Sequence, residues 1–344
     1  MTTNERRYLL QSVAANQQIA ELLEGLQVPQ EPRPYYAQML TTVLKMHEDG
    51  ADLGNLKLAN TALKELRYAF KVFEPYRDVP KVTVFGSART GPDDPISVQA
   101  RGFARSIAAH GWMVMTGAGN GVMGAAQEGA GIGPGFGLHI RLPWETEANP
   151  WIAEDPKLIS FKYFFTRKLF LVKEADAACL LPGGFGTLDE AFEVLTLVQT
   201  GKTAIIPVVL LDAPGDDYWR VWEGFIRRQM LARQLIAADD LHLLRITDDV
   251  EEAVAAICGF YRNFHSSRFV GDALLLRIQR PLPPELLSAL QDEYADILKG
   301  DVQQHKGPLP AEGEEWPDLW RLVLPFSRSQ YGRLRRLIDS INRV

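Results

Sequence analysis

The stretch Pro182-Gly183-Gly184-Phe185-Gly186-Thr187-Leu188-Asp189-Glu190 indicates how the chain is organised. Directly before it, residues 177–181 are uniformly apolar, which predicts a short parallel strand that is buried on both faces. Directly after it, apolar residues recur at helical spacing, so the glycines join the carboxyl end of a strand to the amino end of a helix. This junction favours anions, because unpaired backbone N–H groups and the positive end of the helix dipole point outward there.

Strand and helix patterns alternate on both sides of this stretch. Residues 82–86 and 112–116 are apolar strand candidates, each followed by a glycine-containing turn and a helical pattern, and residues 136–140 and 204–211 supply further strand candidates. The alternation predicts βαβ units and therefore an α/β fold with a Rossmann-like, doubly wound parallel sheet. Ligands of such sheets bind beyond the carboxyl ends of the strands, which is where the glycine turns fall.

Three regions of the chain differ in their predicted secondary structure. Residues 1–78 show helical periodicity broken by prolines and carry no strand signal, which predicts an N-terminal helical extension. Residues 79–264 form the predicted Rossmann-like nucleotide-binding core, which closes with a helix over 249–264. After a turn at Ser266-Ser267, residues 265–344 read as strand, helix, strands and helix around an acidic loop at 306–315, which predicts a small C-terminal α+β subdomain.

Composition narrows the classes of function. The formal net charge of −6 and the lack of a Lys/Arg-rich run disfavour nucleic acid as a partner. No window reaches the roughly 20 apolar residues of a membrane span, and with only Cys179 and Cys258 neither a disulfide framework nor a cysteine metal site is predicted. We expect a cytoplasmic protein that contacts no membrane and uses no metal or cofactor. The apolar stripes of the N-terminal helices predict a homo-oligomer, a dimer or a multiple of dimers.

The first glycine loop has two interpretations. Gly119-Asn120-Gly121-Val122-Met123-Gly124 matches the dinucleotide fingerprint G-x-G-x-x-G, which favours a nicotinamide-dependent oxidoreductase. However, the match follows the second strand rather than the first, and the acidic candidates about 20 positions further on, Glu145 and Glu147, come after Pro143 in an apparent loop. Two glycine loops that face one crevice better suit a nucleoside monophosphate, with its phosphate at the helix N-termini and its sugar between the loops.

Glu190 also has two interpretations. With Thr187 as the N-cap, Glu190 would be the N3 residue of a capping box. Alternatively, Glu190 faces the sugar of a nucleotide whose phosphate lies on the loop, and the helix dipole stabilises its anion and keeps it ionised at neutral pH. An ionised carboxylate there can stabilise an oxocarbenium-like centre, activate water or attack the anomeric carbon.

Arg167 and Lys168 form a basic pair in a predicted helix that precedes the central strand. The plain structural interpretation is a solvated pair on an amphipathic helix. The functional interpretation is a guanidinium that holds a phosphate or orients Glu190.

At these residues the chain resembles the LOG (Lonely Guy) family of nucleoside 5′-monophosphate phosphoribohydrolases. The family hallmark P-G-G-x-G-T-x-x-E is present from Pro182 to Glu190, its upstream Arg-Lys pair corresponds to Arg167-Lys168, and its glycine-rich loop appears over 117–126. The turn at 86–89 and the segment Leu-Pro-Trp-Glu at 142–145 are similar to those of longer bacterial members.

The resemblance has two departures. Ala118 stands where the family has the middle glycine of its loop, which we expect phosphate binding to tolerate if the φ of that residue is negative. Phe164-Phe165 stands where short plant-type members have Met-His. Family members have also been labelled lysine decarboxylases, but phosphate-binding loops need no Schiff-base lysine.

The resemblance implies a hydrolase that cleaves the N-glycosidic bond of an AMP-like 5′-monophosphate and releases free base and ribose 5-phosphate. By that resemblance Arg167 and Glu190 take the catalytic positions. The implied substrate-binding residues are Gly86, Ser87, Gly117, Gly119, Asn120, Gly121, Lys168, Gly183, Gly184, Gly186 and Thr187. The alternative is a non-catalytic nucleotide or phosphorylated-cofactor carrier of the same fold.

Overall fold

A computed structural model describes residues 9–142 and 147–344 of the chain. The chain divides into two compact units, Met1–Arg67 and Tyr68–Val344. Glu145, the acidic candidate of the dinucleotide interpretation, lies outside the described residues, as do Pro143 and Trp144 of the segment that is similar to longer family members.

The first unit is helical, as the sequence predicts. Helix α1 (Val13–Gly25) begins at Ser12, whose hydroxyl accepts the N–H of Ala15 at 3.2 Å in an ordinary N-cap. Helix α2 (Arg33–Glu48) follows, and α3 (Leu53–Phe73) continues past the boundary of the unit. A small apolar core within the unit is formed by buried residues around Ile19 and Leu23.

The second unit is built on a seven-stranded sheet in the order β4-β3-β2-β1-β5-β6-β7, with every neighbouring pair parallel. Its strands are β1 (Lys81–Phe85), β2 (Met113–Thr116), β3 (Gly135–Ile140), β4 (Leu158–Phe161), β5 (Ala177–Leu180), β6 (Val208–Leu211) and β7 (Leu244–Thr247). The predicted Rossmann-like sheet is confirmed. The strand order reverses between β1 and β5, which is the switch point at which doubly wound sheets bind ligands.

Helices connect and cover these strands. They are α4 (Pro95–Ala109), α5 (Val122–Ala130), α6 (Phe164–Lys173), α7 (Phe185–Gln199), α8 (Tyr218–Phe225) and α9 (Val250–Phe260). The central strands are buried on both faces, and Val82, Cys179 and Phe103 of α4 are fully buried in one core cluster. This burial explains why β5 reads as a continuous apolar run and why most residues of β1 are apolar.

The C-terminal residues form an antiparallel sheet in the order β10-β11-β9-β8, which confirms the predicted α+β subdomain. Its elements are β8 (Phe264–Val270), β9 (Ala273–Ile278), α10 (Pro284–Glu293), β10 (Gln303–Lys306), β11 (Trp320–Leu324) and α11 (Tyr331–Ile341). Two boundary predictions are wrong. Helix α9 ends at Phe260, and Ser266 and Ser267 do not form a turn, because both are paired with β9 within β8. Within the described ranges, no helix has the length and apolarity that crossing a bilayer requires.

Candidate active site

A cleft of about 900 Å³ opens at the carboxyl edge of the parallel sheet. The turns that follow β1, β2 and β5 meet in it, and the start of α6 closes one side. The predicted site residues that line the cleft are Gly86, Ser87, Gly117, Gly119, Arg167, Gly183, Gly184, Gly186, Thr187 and Glu190. Three others, Asn120, Gly121 and Lys168, lie outside its lining.

The turn after β1 ties the other two turns together. The N–H of Ser87 donates to the carbonyl of Pro182 at 3.1 Å, and the carbonyl of Ser87 accepts the N–H of Val122 at 2.9 Å. Packing requires the glycine at 86, because a Cβ there would stand 2.5 Å from Val122 Cγ1. Both backbone groups of Ser87 are therefore engaged in the fold. Its hydroxyl, which accepts the N–H of Arg89 at 3.1 Å, keeps a proton to donate to a ligand.

The first glycine loop, residues 117–121, joins β2 to α5 in a conformation that needs two left-handed residues. The φ of Ala118 is 61° and that of Gly121 is 63°. The condition of a negative φ at Ala118 is therefore not met, and an L-residue in this region costs about 1–2 kcal/mol. Gly121 cannot carry a side chain, because a Cβ would also stand 2.3 Å from the carbonyl oxygen of Ser87. Asn120 is exposed beside it.

The second glycine loop, residues 182–186, joins β5 to α7. Helix α7 begins at Phe185 with Gly184 as its N-cap. Thr187 is therefore the third helical residue and Glu190 the sixth, so the capping-box interpretation of this pair is wrong. The first N–H groups of α7, which have no intrahelical acceptor, belong to residues that line the cleft.

Glu190 is buried in the wall of the cleft, with its side chain only 8% exposed. Within the described part of the chain its Oε2 atom accepts no hydrogen bond, and Lys168 Nζ lies 3.6 Å away. Burial raises the pKa of Glu190, while the charges of Lys168 and Arg167 act in the opposite direction. Because Glu190 is the sixth residue of α7, it lies beyond the first helical turn, where the stabilisation of an anion by the helix dipole, on which the argument from sequence relied, is weak.

Lys168 binds the first turns of α7 rather than lining the cleft. Its Nζ lies 2.8 Å from Asp189 Oδ2 and 2.5 Å from Glu193 Oε2. Burial alone would lower the pKa of Lys168, but its hydrogen bonds to Asp189 and Glu193 outweigh burial and raise it. The ammonium group thus links α6 to α7 beside Glu190.

Arg167 extends from the neighbourhood of Glu190 to the first glycine loop. Its guanidinium lies 5.1 Å from the centre of the Phe164 ring, a cation–π distance. A Cβ on Gly117 would stand 2.9 Å from Met123 Sδ and 3.4 Å from Arg167 Nη1, so the guanidinium lies against the first glycine loop. The positive charge of Arg167 also acts on the Glu190 carboxylate. The arginine and the glutamate therefore share one cleft.

Sequence reasoning missed residues that hold the first glycine loop. Asn149, only 3% exposed, donates its backbone N–H to the carbonyl of Ala118 at 2.8 Å and its side-chain amide to the carbonyl of Gly119 at 3.1 Å. Local patterns gave no signal for this contact, because about 30 residues separate the partners. His139 could have been predicted from the sequence. It is a buried cleft residue near the carboxyl end of β3, and the carboxyl ends of parallel strands form the ligand-binding edge of such a sheet. Phe185, the variable position of the motif, lines the cleft and is 94% exposed.

Known proteins are similar in sequence to the part of the chain that contains the cleft. A family model described as possible lysine decarboxylase matches residues 115–257. A cytokinin riboside 5′-monophosphate phosphoribohydrolase from Rhodococcoides fascians is 31% identical over 185 residues, which cover 53% of this chain and 91% of that protein. An enzyme of the same name from Mycobacterium tuberculosis is 29% identical over 154 residues, which cover 44% of this chain and 79% of that protein.

Among solved structures, the molybdenum cofactor carrier protein from Chlamydomonas reinhardtii is 26% identical in sequence. The match covers 52% of this chain and 96% of that chain, with a TM-score of 0.38.

Proposed function

Because the chain belongs to the LOG family of phosphoribohydrolases, we propose that it hydrolyses the N-glycosidic bond of nucleoside 5′-monophosphates. The products are free base and ribose 5-phosphate, and AMP-like nucleotides are the proposed substrates. The observation that carries this proposal is the Glu190 carboxylate. It is buried in a cleft beside Arg167, and its Oε2 atom accepts no hydrogen bond from the described residues. Buried acceptors without a hydrogen bond are rare in folded proteins, and a catalytic role is one of the explanations for them.

The glycine loops support a phosphate-bearing ligand. The helix N-termini of α5 and α7 meet at the cleft, and such termini favour anions through their N–H groups and dipoles. The cleft volume of about 900 Å³ lies in the range of small-molecule sites. With the phosphate on the second glycine loop, the ribose of a nucleotide would lie toward Glu190, which is about one and a half helical turns further on.

In the proposed reaction the bond between the anomeric carbon and the base nitrogen breaks, and the oxygen of water forms the new bond to that carbon. One proton of the water leaves with the base, so the reaction needs no other reactant. Glu190 stabilises the positive charge on the sugar, activates the water or acts as nucleophile, and Arg167 holds the phosphate and ribose in place. A metal ion is not part of this proposal.

The proposal is tested by incubating the protein with AMP, GMP, IMP and CMP and separating the products by chromatography. We expect free base and ribose 5-phosphate from at least one of them. Adenosine is the matched control for AMP, because it lacks only the phosphate that the glycine loops would bind, and it should be cleaved far more slowly. Absence of product from every monophosphate would reject the hydrolase, and saturable AMP binding without product would favour a nucleotide carrier instead.

A homo-oligomer is part of the same proposal. Tyr35, Met39 and Val43 follow one another at four-residue spacing on α2, and each is at least 47% exposed. An apolar stripe of this kind favours packing against another subunit. Sedimentation should therefore give a multiple of 38.5 kDa. A monomer mass at micromolar concentration would contradict this part of the proposal.

A further inference from the structure

Three consecutive carbonyls of the second glycine loop are held in place by three different partners. Those of residues 182 and 184 each accept a backbone N–H at 3.1 Å, one from the turn after β1 and one from within α7. The carbonyl between them, that of Gly183, accepts the hydroxyl of Tyr218 at 2.7 Å. Tyr218 is thus the one side chain among the three donors, and it comes from 35 residues further along the chain.

Tyr218 reaches the loop from a firmly held helix. It is the first residue of α8, and the next residue, Trp219, donates its N–H to both carboxylate oxygens of Asp212 at 3.3 Å. Asp212 and Trp219 are both buried, and Trp222 of the same helix packs on Phe192 of α7 with 5.7 Å between ring centres. Burial also raises the pKa of Tyr218, so its hydroxyl keeps the proton that it donates.

The hydrogen bond to Gly183 determines the direction of the next N–H group. In a planar trans peptide the C=O and the following N–H point in opposite directions. Tyr218 is not part of the cleft lining, whereas Gly183 and Gly184 are. Holding the Gly183 carbonyl toward Tyr218 therefore turns the Gly184 N–H toward the cleft.

The peptide between two glycines needs such a partner. Glycine adopts positive and negative φ about equally well, so a flip of the Gly183–Gly184 peptide meets little steric resistance from its own residues. A flipped peptide would present the Gly183 carbonyl oxygen to the cleft, where it would repel a phosphate instead of binding it.

We infer that Tyr218 is a positioning residue for the anion site: its hydroxyl holds the Gly183–Gly184 peptide in the orientation that directs the Gly184 N–H at the phosphate of the ligand. The inference rests on the proposed function for the identity of that ligand, a 5′-phosphate ester. Asp212 supports the arrangement by fixing the first turn of α8.

The test is Tyr218→Phe in the full chain, which removes the hydroxyl and keeps the ring. Loss of one neutral hydrogen bond predicts a roughly 3- to 10-fold rise in KM for AMP. The kcat should change less than about twofold, because the phosphate is bound equally in the ground state and the transition state. Calorimetric titration with ribose 5-phosphate should show its Kd rising by the same factor.

Tyr261→Phe is the matched control. The hydroxyl of Tyr261 donates to the carbonyl of Asp176 at 2.6 Å, just before the amino end of β5, so it makes the same type of bond at the opposite end of the same strand. Removing it should lower Tm but leave KM for AMP and Kd for ribose 5-phosphate unchanged. Equal weakening of binding by both substitutions would show a general effect on stability and would overturn the inference, as would unchanged binding in Tyr218→Phe.

Failure of the proposed function would remain distinguishable from failure of this inference. If the wild-type protein cleaves no nucleotide, titration with AMP and ribose 5-phosphate still measures phosphate binding directly. Weaker binding by Tyr218→Phe alone would then support the positioning role in a carrier. If the wild-type protein binds neither ligand, the inference is wrong.

Discussion

The two glycine loops occupy equivalent places in the fold, but glycine is present in them for different structural reasons. Each loop joins a parallel strand to the N-terminus of a helix at the same cleft. The first contains two residues with positive φ, Ala118 and Gly121, whereas the second contains none. An added Cβ at Gly184 or Gly186 of the second loop would meet no atom within 4 Å. The fold itself requires Gly121 but gives no reason for Gly184 or Gly186, and that difference points to a ligand at the second loop.

The helices that follow the loops differ in the same way. The sixth residue of α5 is Gln127 and the sixth residue of α7 is Glu190, and both are buried. The amide of Gln127 donates to the carbonyl of Phe136 at 2.7 Å and to Thr116 Oγ1 at 3.2 Å, so its polar group serves the fold. Glu190 has an oxygen for which the described chain supplies no hydrogen-bond donor. The first loop and its helix thus mainly stabilise the fold, whereas the second loop and its helix keep groups available for a ligand.

The largest expected effect comes from Glu190→Gln, which keeps the shape of the side chain and removes its charge. If Glu190 acts on the sugar or the water, kcat should fall by about 10²- to 10⁴-fold while the protein stays folded. Steady-state kinetics with AMP and circular dichroism measure the two quantities. Glu193→Gln, one helical turn further on, is the matched control, since Glu193 also contacts Lys168 but does not line the cleft. Equal loss of activity in both variants would contradict a specific role for Glu190.

The contrast between structural and open glycines can be tested within the second loop. Gly184→Ala should leave Tm nearly unchanged, but its methyl group would keep the phosphate away from the loop N–H groups and weaken binding of ribose 5-phosphate by about 10- to 100-fold, the equivalent of one lost hydrogen bond to a charged group. Gly183→Ala should instead destabilise the fold, because its Cβ would stand 2.2 Å from Thr187 Oγ1 and 2.9 Å from the backbone nitrogen of Ser87. Thermal unfolding and calorimetric titration of both variants separate the effects. Normal ligand binding by Gly184→Ala would remove the argument for a ligand at this glycine.

Gln127→Glu is the reciprocal change on the first helix. It removes the donor to the Phe136 carbonyl and places a carboxylate oxygen against that carbonyl in a fully buried position. We expect a loss of about 2–3 kcal/mol in the free energy of unfolding, or more, with little change in kcat for the protein that remains folded. Urea denaturation measures the loss. A stable variant with impaired catalysis would show that the two helices are more alike than their contacts indicate.

The sequence predicted the elements and turns that depend on local periodicity and glycine spacing. It missed the features that depend on contacts between residues far apart in the chain. The alternating apolar runs predicted the parallel sheet, but the two edge strands β4 and β7 were missed, because each is only four residues long and only partly buried. Ser266 and Ser267 suggested a turn through their polarity, although cross-strand pairing places them in β8. The capping box failed because the N-cap of α7 is Gly184, three residues before Thr187. Tyr218 and Asn149 act on loops about 30 or more residues away, which no local pattern reports.

The raised pKa of Glu190 predicts that the difference in folding stability between wild type and Glu190→Gln depends on pH. We expect this effect to be smaller than those of the preceding substitutions. Because the folded protein holds this proton more tightly than the unfolded chain, its stability should fall as pH rises from the unfolded pKa through the folded pKa of Glu190. Arg167, Lys168, Asp189 and Glu193 are the charged neighbours that set the size of this effect. Urea denaturation from mildly acidic to neutral pH should therefore show Glu190→Gln gaining stability relative to wild type. A constant difference would mean that burial does not raise this pKa.

The smallest effect is expected at Ala118, the residue that departs from the glycine pattern of the first loop. Ala118→Gly relieves about 1–2 kcal/mol of left-handed strain, but it loses about 0.8 kcal/mol of methyl burial and about 0.4–1 kcal/mol through greater freedom of the unfolded chain. These contributions nearly cancel, so the free energy of unfolding should stay within about 1 kcal/mol of wild type. Ligand affinity should also be unchanged, because Ala118 is fully buried and does not line the cleft, and its methyl group faces Gly137 of β3. Tighter binding of ribose 5-phosphate by Ala118→Gly would mean that this methyl group obstructs the ligand, and the first loop would then belong to the site as fully as the second.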